Sequence, residues 1–164
     1  WGLQLQLLLY LAAALSRVPG SHAAGFFYCR IADPTVKTES RIREEVEKQI
    51  AKKLSLQGIS LSDVAILRAQ GGSVASMVTK DGKPNGRYAA SMVDEAGMEK
   101  LLDFAKRKAA ELAGEIYRGE MDDSPVERGA FNACQNCEYS AICAFDPLRK
   151  PRRRLTAKKL DDLL

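Results

Sequence analysis

Apolar positions near the start of the chain follow a helical spacing. Residues 2–16, "GLQLQLLLYLAAALS", place apolar residues at intervals of three and four, as in an amphipathic helix. Leucine, alanine and glutamine favour helices, and the following "RVPGSHAAG" supplies the proline and glycine that end one. The pattern predicts a helix whose apolar stripe comprises Leu5, Leu8, Leu9, Ala12 and Ala13.

Two other interpretations of this stretch fit less well. A secretory signal peptide has a positively charged start, and no such charge precedes "LLLYLAAAL", although "SHA" before Ala24 resembles a cleavage site. A membrane span takes about 20 apolar residues, and this run stops at Ser16 and Arg17. We therefore expect a helix of a cytoplasmic protein, with no membrane partner.

A strand spacing follows in "GFFYCRIADP", residues 25–34. Aromatic and branched residues fill positions 26–31, and Asp33 with Pro34 closes the run. Alternation places Phe27, Cys29 and Ile31 on one face, where Cys29 would be a buried small hydrophobe. A helix beside such a strand predicts an α/β layer, mainly helices packed on a small sheet.

The middle of the chain predicts two further helices around short elements. Residues 39–54 form a charged helix with the seam Ile42, Val46, Ile50 and Leu54. Residues 58–70 read as a short strand or turn and then a short helix capped by Asp63, and residues 80–87 read as a loop. A long helix begins near Asp94 and ends at Gly119. Its predicted seam is Met98, Leu101, Leu102, Ala105, Ala109, Leu112 and Ile116.

The strongest chemical signal is a cysteine cluster in "ACQNCEYSAICAFDP", residues 133–147. Cys134, Cys137 and Cys143 form C-x2-C-x5-C, a spacing typical of zinc or iron–sulfur ligands. A fourth ligand would be Cys29 or, as we expect, a residue before Trp1. Disulfides in a secreted protein and a redox CxxC are weaker alternatives, because the start does not read as a signal peptide and the CxxC follows a long helix near the end of the sequence.

Positive charge is concentrated in residues 148–164. This segment carries seven Lys or Arg against two Asp, although the net charge of the whole chain is only +4. We expect residues 1–147 to form one domain and residues 148–164 a basic tail, with a solvated surface as the simpler alternative to a polyanion partner. The candidate DNA-binding residues are Arg149, Lys150, Arg152, Arg153 and Arg154.

The remaining polar candidates carry little signal for chemistry. His22 lies in a loop with no carboxylate or cysteine near it in the sequence, so we expect an ordinary surface histidine. Asp33, Asp94 and Asp103 do not form a pair suited to metal binding or to acid–base work. We assign these three carboxylates to capping and surface positions.

The motifs together resemble the C-terminal end of the AddB family of bacterial helicase–nuclease subunits. The resemblance rests on "GLQLQLLLYL", "FFYCRIADP", a long helix and "CQNCEYSAICAFD", and it is weakest over residues 59–93. It implies part of a RecB-like nuclease domain of the PD-(D/E)XK (restriction-endonuclease-like) class. In that family the motif matched by Gln6 and Tyr10 supports catalysis, and the cysteines matched by Cys134, Cys137 and Cys143 hold a [4Fe–4S] cluster.

The resemblance also implies a function and a partner. The parent protein would process double-strand DNA ends in recombinational repair by Mg²⁺-dependent phosphodiester hydrolysis, bound to an AddA-like helicase subunit in the cytoplasm. The catalytic carboxylates and lysine of the family would lie before Trp1, so this chain alone would not cleave DNA. The alternatives are a Cas4-like iron–sulfur exonuclease and a non-enzymatic zinc-binding module that contacts DNA or protein.

Overall fold

The computed structural model describes residues 5–31, 33–37, 42–120 and 122–156. These residues fall into two compact units, the first extending to Asp103 and the second beginning at Phe104. Each unit has a three-stranded sheet. The α/β class predicted from the sequence is confirmed.

The first helix, α1, extends over Gln6–Arg17 and confirms the helical reading of the opening stretch. Leu8 is its buried residue, and α1 contacts the strand that follows it. Beyond the helix the Ser21 N–H donates to the Val18 carbonyl at 3.1 Å, and Gly20 has a φ of +81°. A left-handed backbone suits glycine, so this residue allows the chain to reverse after the helix.

The sheet of the first unit has the order β1-β2-β3. Strand β1 (Gly25–Tyr28) is antiparallel to β2 (Gln57–Leu61), and β2 is parallel to β3 (Met92–Val93). Ser60 on β2 is fully buried, and its hydroxyl donates to the Gln70 side-chain oxygen at 2.8 Å. Because Gln70 in turn donates to the Ala24 carbonyl at 3.1 Å, this polar chain links β2 to the residue before β1.

Strand β1 is shorter than the sequence predicts, and the predicted burial of Cys29 is wrong. The register with β2 ends at the pair Tyr28–Gln57, so the ladder stops one residue before Cys29. Cys29 is exposed, and Ile31 is 99% exposed. The alternation of apolar residues therefore continues beyond the backbone pairing that would bury them.

Three helices follow in the first unit: α2 (Arg43–Lys53), α3 (Val64–Gln70) and the short α4 (Gly72–Ala75). Residues 39–41, where the sequence predicts the start of α2, lie outside the described residues. The predicted seam of α2 contributes no buried residue, and Ile42 and Leu54 are exposed. In α3 the predicted cap is confirmed, because the Ile66 N–H donates to the Asp63 carboxylate at 3.0 Å.

The apolar core of the first unit forms around α3 and α4. Leu67, Val74 and Met77 are its buried members. A 3-10 helix (Gly86–Ser91) begins within the last two positions of the predicted loop, residues 80–87, and leads into β3. The half-buried side chains packed on this core are Phe27, Leu56, Val78, Tyr88 and Met92.

The longest helix, α5, extends over Glu95–Tyr117 and has the ends that the sequence predicts. The Asp94 carboxylate accepts from the Gly97 N–H at 2.7 Å. At the other end the N–H groups of Gly119 and Glu120 donate to Ile116 and Glu115, a Schellman motif with Gly119 at φ +69°. The predicted seam is buried from Met98 to Ala105, whereas Ile116 is 79% exposed.

The second unit contains a sheet that the sequence analysis did not predict, in the order β5-β4-β6. Strand β4 (Val126–Arg128) pairs antiparallel with β5 (Phe131–Asn132) and parallel with β6 (Arg153–Arg154). Gly129, at φ +56°, occupies the first position of the two-residue turn between β4 and β5, where hairpins favour glycine. The one-turn helix α6 (Ser140–Cys143) lies between β5 and β6.

Candidate functional site

Gln6 and Tyr10 lie together on one side of α1. Residues four apart share a helix face, and the Gln6 Nε2 group donates to the Tyr10 hydroxyl oxygen at 3.0 Å. Both side chains are exposed, Tyr10 by 63%. Since the hydroxyl accepts this hydrogen bond, its own proton stays available for another acceptor, such as a phosphate oxygen.

The three clustered cysteines lie in consecutive turns of residues 133–152, which we call the cysteine loop. The Cys137 N–H donates to the Cys134 carbonyl at 3.4 Å, and the Cys143 N–H donates to the Tyr139 carbonyl at 2.9 Å. Asn132 holds the start of the loop, because its side-chain oxygen accepts from the Cys134 N–H at 3.0 Å. Ala144 then ends α6 in the left-handed conformation, with φ +51°.

Three thiols on one short loop fit the donor set of an iron–sulfur or zinc site. All are free, Cys134 and Cys137 half-buried and Cys143 exposed. The structure does not gather them: within its described residues no group of three or more His, Cys, Asp or Glu side chains is placed to hold a metal ion. Metal binding by these residues therefore stays a prediction based on their chemistry and spacing.

Most of the candidate DNA-binding residues are paired with carboxylates of the same unit. Lys150 forms ion pairs with Asp122 and Asp123. Glu127 on β4 lies between two arginines, with 3.9 Å to Arg152 Nη1 and 3.4 Å to Arg154 Nε. Arg149 Nε lies 3.6 Å from the Asp146 carboxylate, and the guanidinium of Arg152 also stacks 5.8 Å from the Phe145 ring centre.

These pairs change the electrostatics of the groups that form them. Hydrogen bonds from Lys150 and then Ser124 lower the pKa of Asp122, with a small further contribution from the Arg153 charge. In return, hydrogen bonds to Asp122 and Asp123 raise the pKa of Lys150. Each charge therefore favours the ionised form of its partner.

The described part of the basic segment contributes a strand to the sheet of the second unit. Arg153 and Arg154 form β6, and Leu155 is only 8% exposed. Residues 157–164, the rest of the predicted tail, lie outside the described residues. DNA contact by Arg149, Lys150, Arg152, Arg153 and Arg154 stays a prediction. The sequence does not reveal the neutralising carboxylates, because no local pattern connects Lys150 with Asp122 and Asp123, which lie 28 and 27 residues earlier.

His22 has a carboxylate neighbour that the sequence did not reveal. Its Nδ1 atom lies 3.5 Å from the Glu95 carboxylate, although both side chains are mostly exposed. Both residues line a groove of about 390 Å³ that also includes Asp63 and Asp94. Asp63 caps α3 and Asp94 caps α5, because each carboxylate accepts a hydrogen bond from a backbone N–H of its helix. Both residues therefore have the capping roles that the sequence predicts.

Comparison with known proteins identifies the family. The family model of the PD-(D/E)XK nuclease superfamily matches residues 1–144 of this chain. The chain belongs to the PD-(D/E)XK nuclease superfamily. The matched range includes Gln6, Tyr10 and all four cysteines of this superfamily member. It stops before the basic residues 149–154.

The resemblance to AddB-type proteins is also confirmed. The chain is 35% identical over 158 residues to the B subunit of the ATP-dependent helicase/deoxyribonuclease of Alkaliphilus metalliredigens, covering 89% of this chain and 14% of that protein. It is 35% identical over 180 residues to the protein of the same name from Desulforudis audaxviator, covering 100% of this chain and 16% of that protein. The chain thus spans about one seventh of the length of these relatives.

The described part of the chain contains no candidate membrane span. No helix within residues 5–31, 33–37, 42–120 and 122–156 combines the length and the apolar character needed to cross a bilayer.

Proposed function

We propose that this chain is part of the nuclease domain of a helicase–nuclease subunit that processes double-strand DNA ends in recombinational repair. The family match over residues 1–144 carries this proposal. The relatives add support, because their names describe the B subunit of an ATP-dependent helicase/deoxyribonuclease. We propose an AddA-like helicase subunit as the protein partner and the bacterial cytoplasm as the location.

In this proposal Gln6 and Tyr10 support the reaction and do not carry it. Mg²⁺ held by carboxylates would supply an activated water and neutralise charge on the scissile phosphate. The described residues hold no carboxylate group suited to that ion. Gln6 orients the Tyr10 hydroxyl through their hydrogen bond, which leaves the phenolic proton free to donate to a DNA phosphate.

We further propose that Cys134, Cys137 and Cys143 hold a [4Fe–4S] cluster with a fourth ligand outside this chain. Thiols remain reduced in the cytoplasm and available to metal. Cluster ligation by cysteine would fasten the cysteine loop. Of the basic residues, Arg153 is the first candidate for phosphate contact, since it is exposed and Lys150, Arg152 and Arg154 lie against carboxylates.

The nuclease proposal is tested on the longest natural polypeptide that carries this sequence, copurified with its helicase partner. We expect degradation of linear duplex DNA with ATP and Mg²⁺. Gln6→Ala should lower that rate by about tenfold or more, as expected for a positioning group, and Tyr10→Phe should raise the KM for DNA more than it lowers kcat.

Tyr117→Phe is the matched control, because this tyrosine is also exposed and lies at the end of α5. It should behave like the wild type. Folded protein that cuts no DNA in the presence of the partner, ATP and Mg²⁺ would contradict the proposed function. Equal effects of the Tyr10 and Tyr117 variants would contradict the role given to Tyr10.

A further inference from the structure

The cysteine loop begins and ends at neighbouring strands of one sheet. Strand β5 leads into the loop, β6 follows it, and both pair with β4. The Arg153 N–H donates to the Pro125 carbonyl at 2.9 Å, and the Leu155 N–H donates to the Glu127 carbonyl at 2.8 Å. The Ala133 N–H, at the start of the loop, donates to the Val126 carbonyl at 2.9 Å. Backbone hydrogen bonds therefore close the base of the loop.

Side-chain contacts also hold the base of the loop closed, and none of them involves a cysteine. Val126 on β4 and Leu155 after β6 are both buried. Glu127 attracts Arg152 and Arg154, and Lys150 pairs with Asp122 and Asp123. We call the β4–β6 pairing, with Val126, Leu155 and these ion pairs, the clasp.

The members of the clasp contribute unequally. Burial of apolar side chains generally stabilises a fold more than ion pairs between exposed groups do. The side chains of Lys150 and its two aspartates are each more than two-fifths exposed. Their ion pairs therefore contribute little to the stability of the clasp. The buried side chain of Leu155 and the backbone hydrogen bonds between β4 and β6 contribute most of the stability of the clasp.

We propose that the clasp keeps the two ends of the cysteine loop together without a bound metal. Loss of metal then loosens the turns around Cys134, Cys137 and Cys143 but leaves β6 on β4. A closed base also limits the span over which the thiols can move, which reduces the entropic cost of gathering them around a metal. This inference rests on the proposed function only in taking the three cysteines as ligands.

Hydrogen exchange on the longest natural polypeptide that carries this sequence, which would include the proposed fourth ligand, tests the clasp directly, because an amide in a closed ladder exchanges slowly. The triple variant Cys134→Ser, Cys137→Ser, Cys143→Ser removes the thiols. We expect the Arg153 and Leu155 amides to exchange within about threefold of their wild-type rates, and the Cys143 amide to exchange faster. Wild-type protein treated with a metal chelator should show the same pattern.

Leu155→Ala should instead speed exchange of the Arg153 amide and of residue 155 by about tenfold or more. Leu148→Ala is the matched control, since Leu148 is 95% exposed in the same segment, and it should leave those rates unchanged. If Leu155→Ala prevents folding, Glu127→Gln provides a milder change, for which we expect a smaller effect in the same direction.

Fast exchange of the Arg153 and Leu155 amides in the triple serine variant would overturn the proposal. This holds whether the amides lose protection through local opening or through global unfolding. Failure of the proposed metal site has a different signature. In that case the Cys143 amide would also keep its wild-type rate in the triple variant and after chelation, while the clasp amides would remain slow.

Discussion

Gly58 shows how one residue sets the spacing of the first sheet. It lies on β2 opposite Phe27 of β1. A Cβ atom at this position would lie 2.0 Å from the Phe26 carbonyl oxygen and 2.8 Å from the Phe27 Cα atom. Both neighbours are backbone, so neither can move aside as a flexible side chain would.

Gly58→Ala should therefore destabilise the protein, by about 3 kcal/mol, the upper range for overpacking a well-packed site. The free energy of unfolding from urea titration measures this effect. Gly86→Ala is the matched control, since a Cβ atom there meets nothing within 4 Å. Similar unfolding free energies for the two variants would contradict the close approach of β1 and β2.

Exposure to solvent, more than residue type, decides which contacts Cys29, Gln6 and Tyr10 can make. Cys29 was predicted to be a core residue and is exposed, which leaves its thiol accessible. Tyr10 and Gln6 are exposed as well, yet their mutual hydrogen bond fixes the orientation of both. At this scale the sequence identifies the side chain, and the fold decides its surroundings.

Among the elements, α5 agrees with its sequence pattern more closely than β1 does. A helix is specified by contacts a few residues apart, and Asp94 and Gly119 supply both of its ends. A strand needs a partner, and β1 ends where its antiparallel partner β2 begins, at the pair Tyr28–Gln57. The apolar pattern of β1 alone could not show where that partner begins.

The clasp gives β6 a pH dependence with a defined sign. The lowered pKa of Asp122 means that its contribution to stability is present above its ordinary pKa of about 3.9 and is lost as the pH falls further. The raised pKa of Lys150 means that its contribution is present below about 10.4 and is lost at higher pH. The ion pairs of Lys150 with Asp122 and Asp123 therefore stabilise the clasp at pH values between these two limits.

We expect the thermal unfolding midpoint of wild-type protein to exceed that of Asp122→Asn at neutral pH. This difference should shrink as the pH is lowered below about 4, because both proteins then lack the carboxylate charge. Asp81→Asn, which changes an exposed aspartate outside the clasp, is the control and should show no such pH-dependent difference from the wild type. A difference between wild type and Asp122→Asn that stays constant into acid would contradict the ionic role of Asp122.

For the whole molecule, family membership and cofactor content are separate questions. Membership rests on the match over residues 1–144. The cofactor rests on three free thiols that the described residues do not gather into a metal site. The metal content of the purified protein therefore decides the cofactor.

Anaerobic purification of the longest natural polypeptide carrying this sequence should yield about four iron and four sulfide per chain, as a [4Fe–4S] cluster requires. Iron, sulfide and zinc are quantified together. Cys29→Ser should leave these values unchanged, whereas Cys137→Ser should lower them. One zinc with no iron would favour the zinc-binding module, and metal loss in Cys29→Ser would make Cys29 the fourth ligand.

The sequence by itself determined α1, the Asp63 cap of α3 and both ends of α5, because these features depend on hydrogen bonds between residues at most five positions apart. It also identified the nuclease family through Gln6, Tyr10 and the cysteine spacing.

Only the tertiary structure decided the exposure of Cys29, the closure of the cysteine loop and the pairing of the basic segment. These features join residues that are far apart in the chain, such as Lys150 and Asp122. Local periodicity carries no information about such partners, since strand pairing and charge pairing are settled only when the whole unit folds.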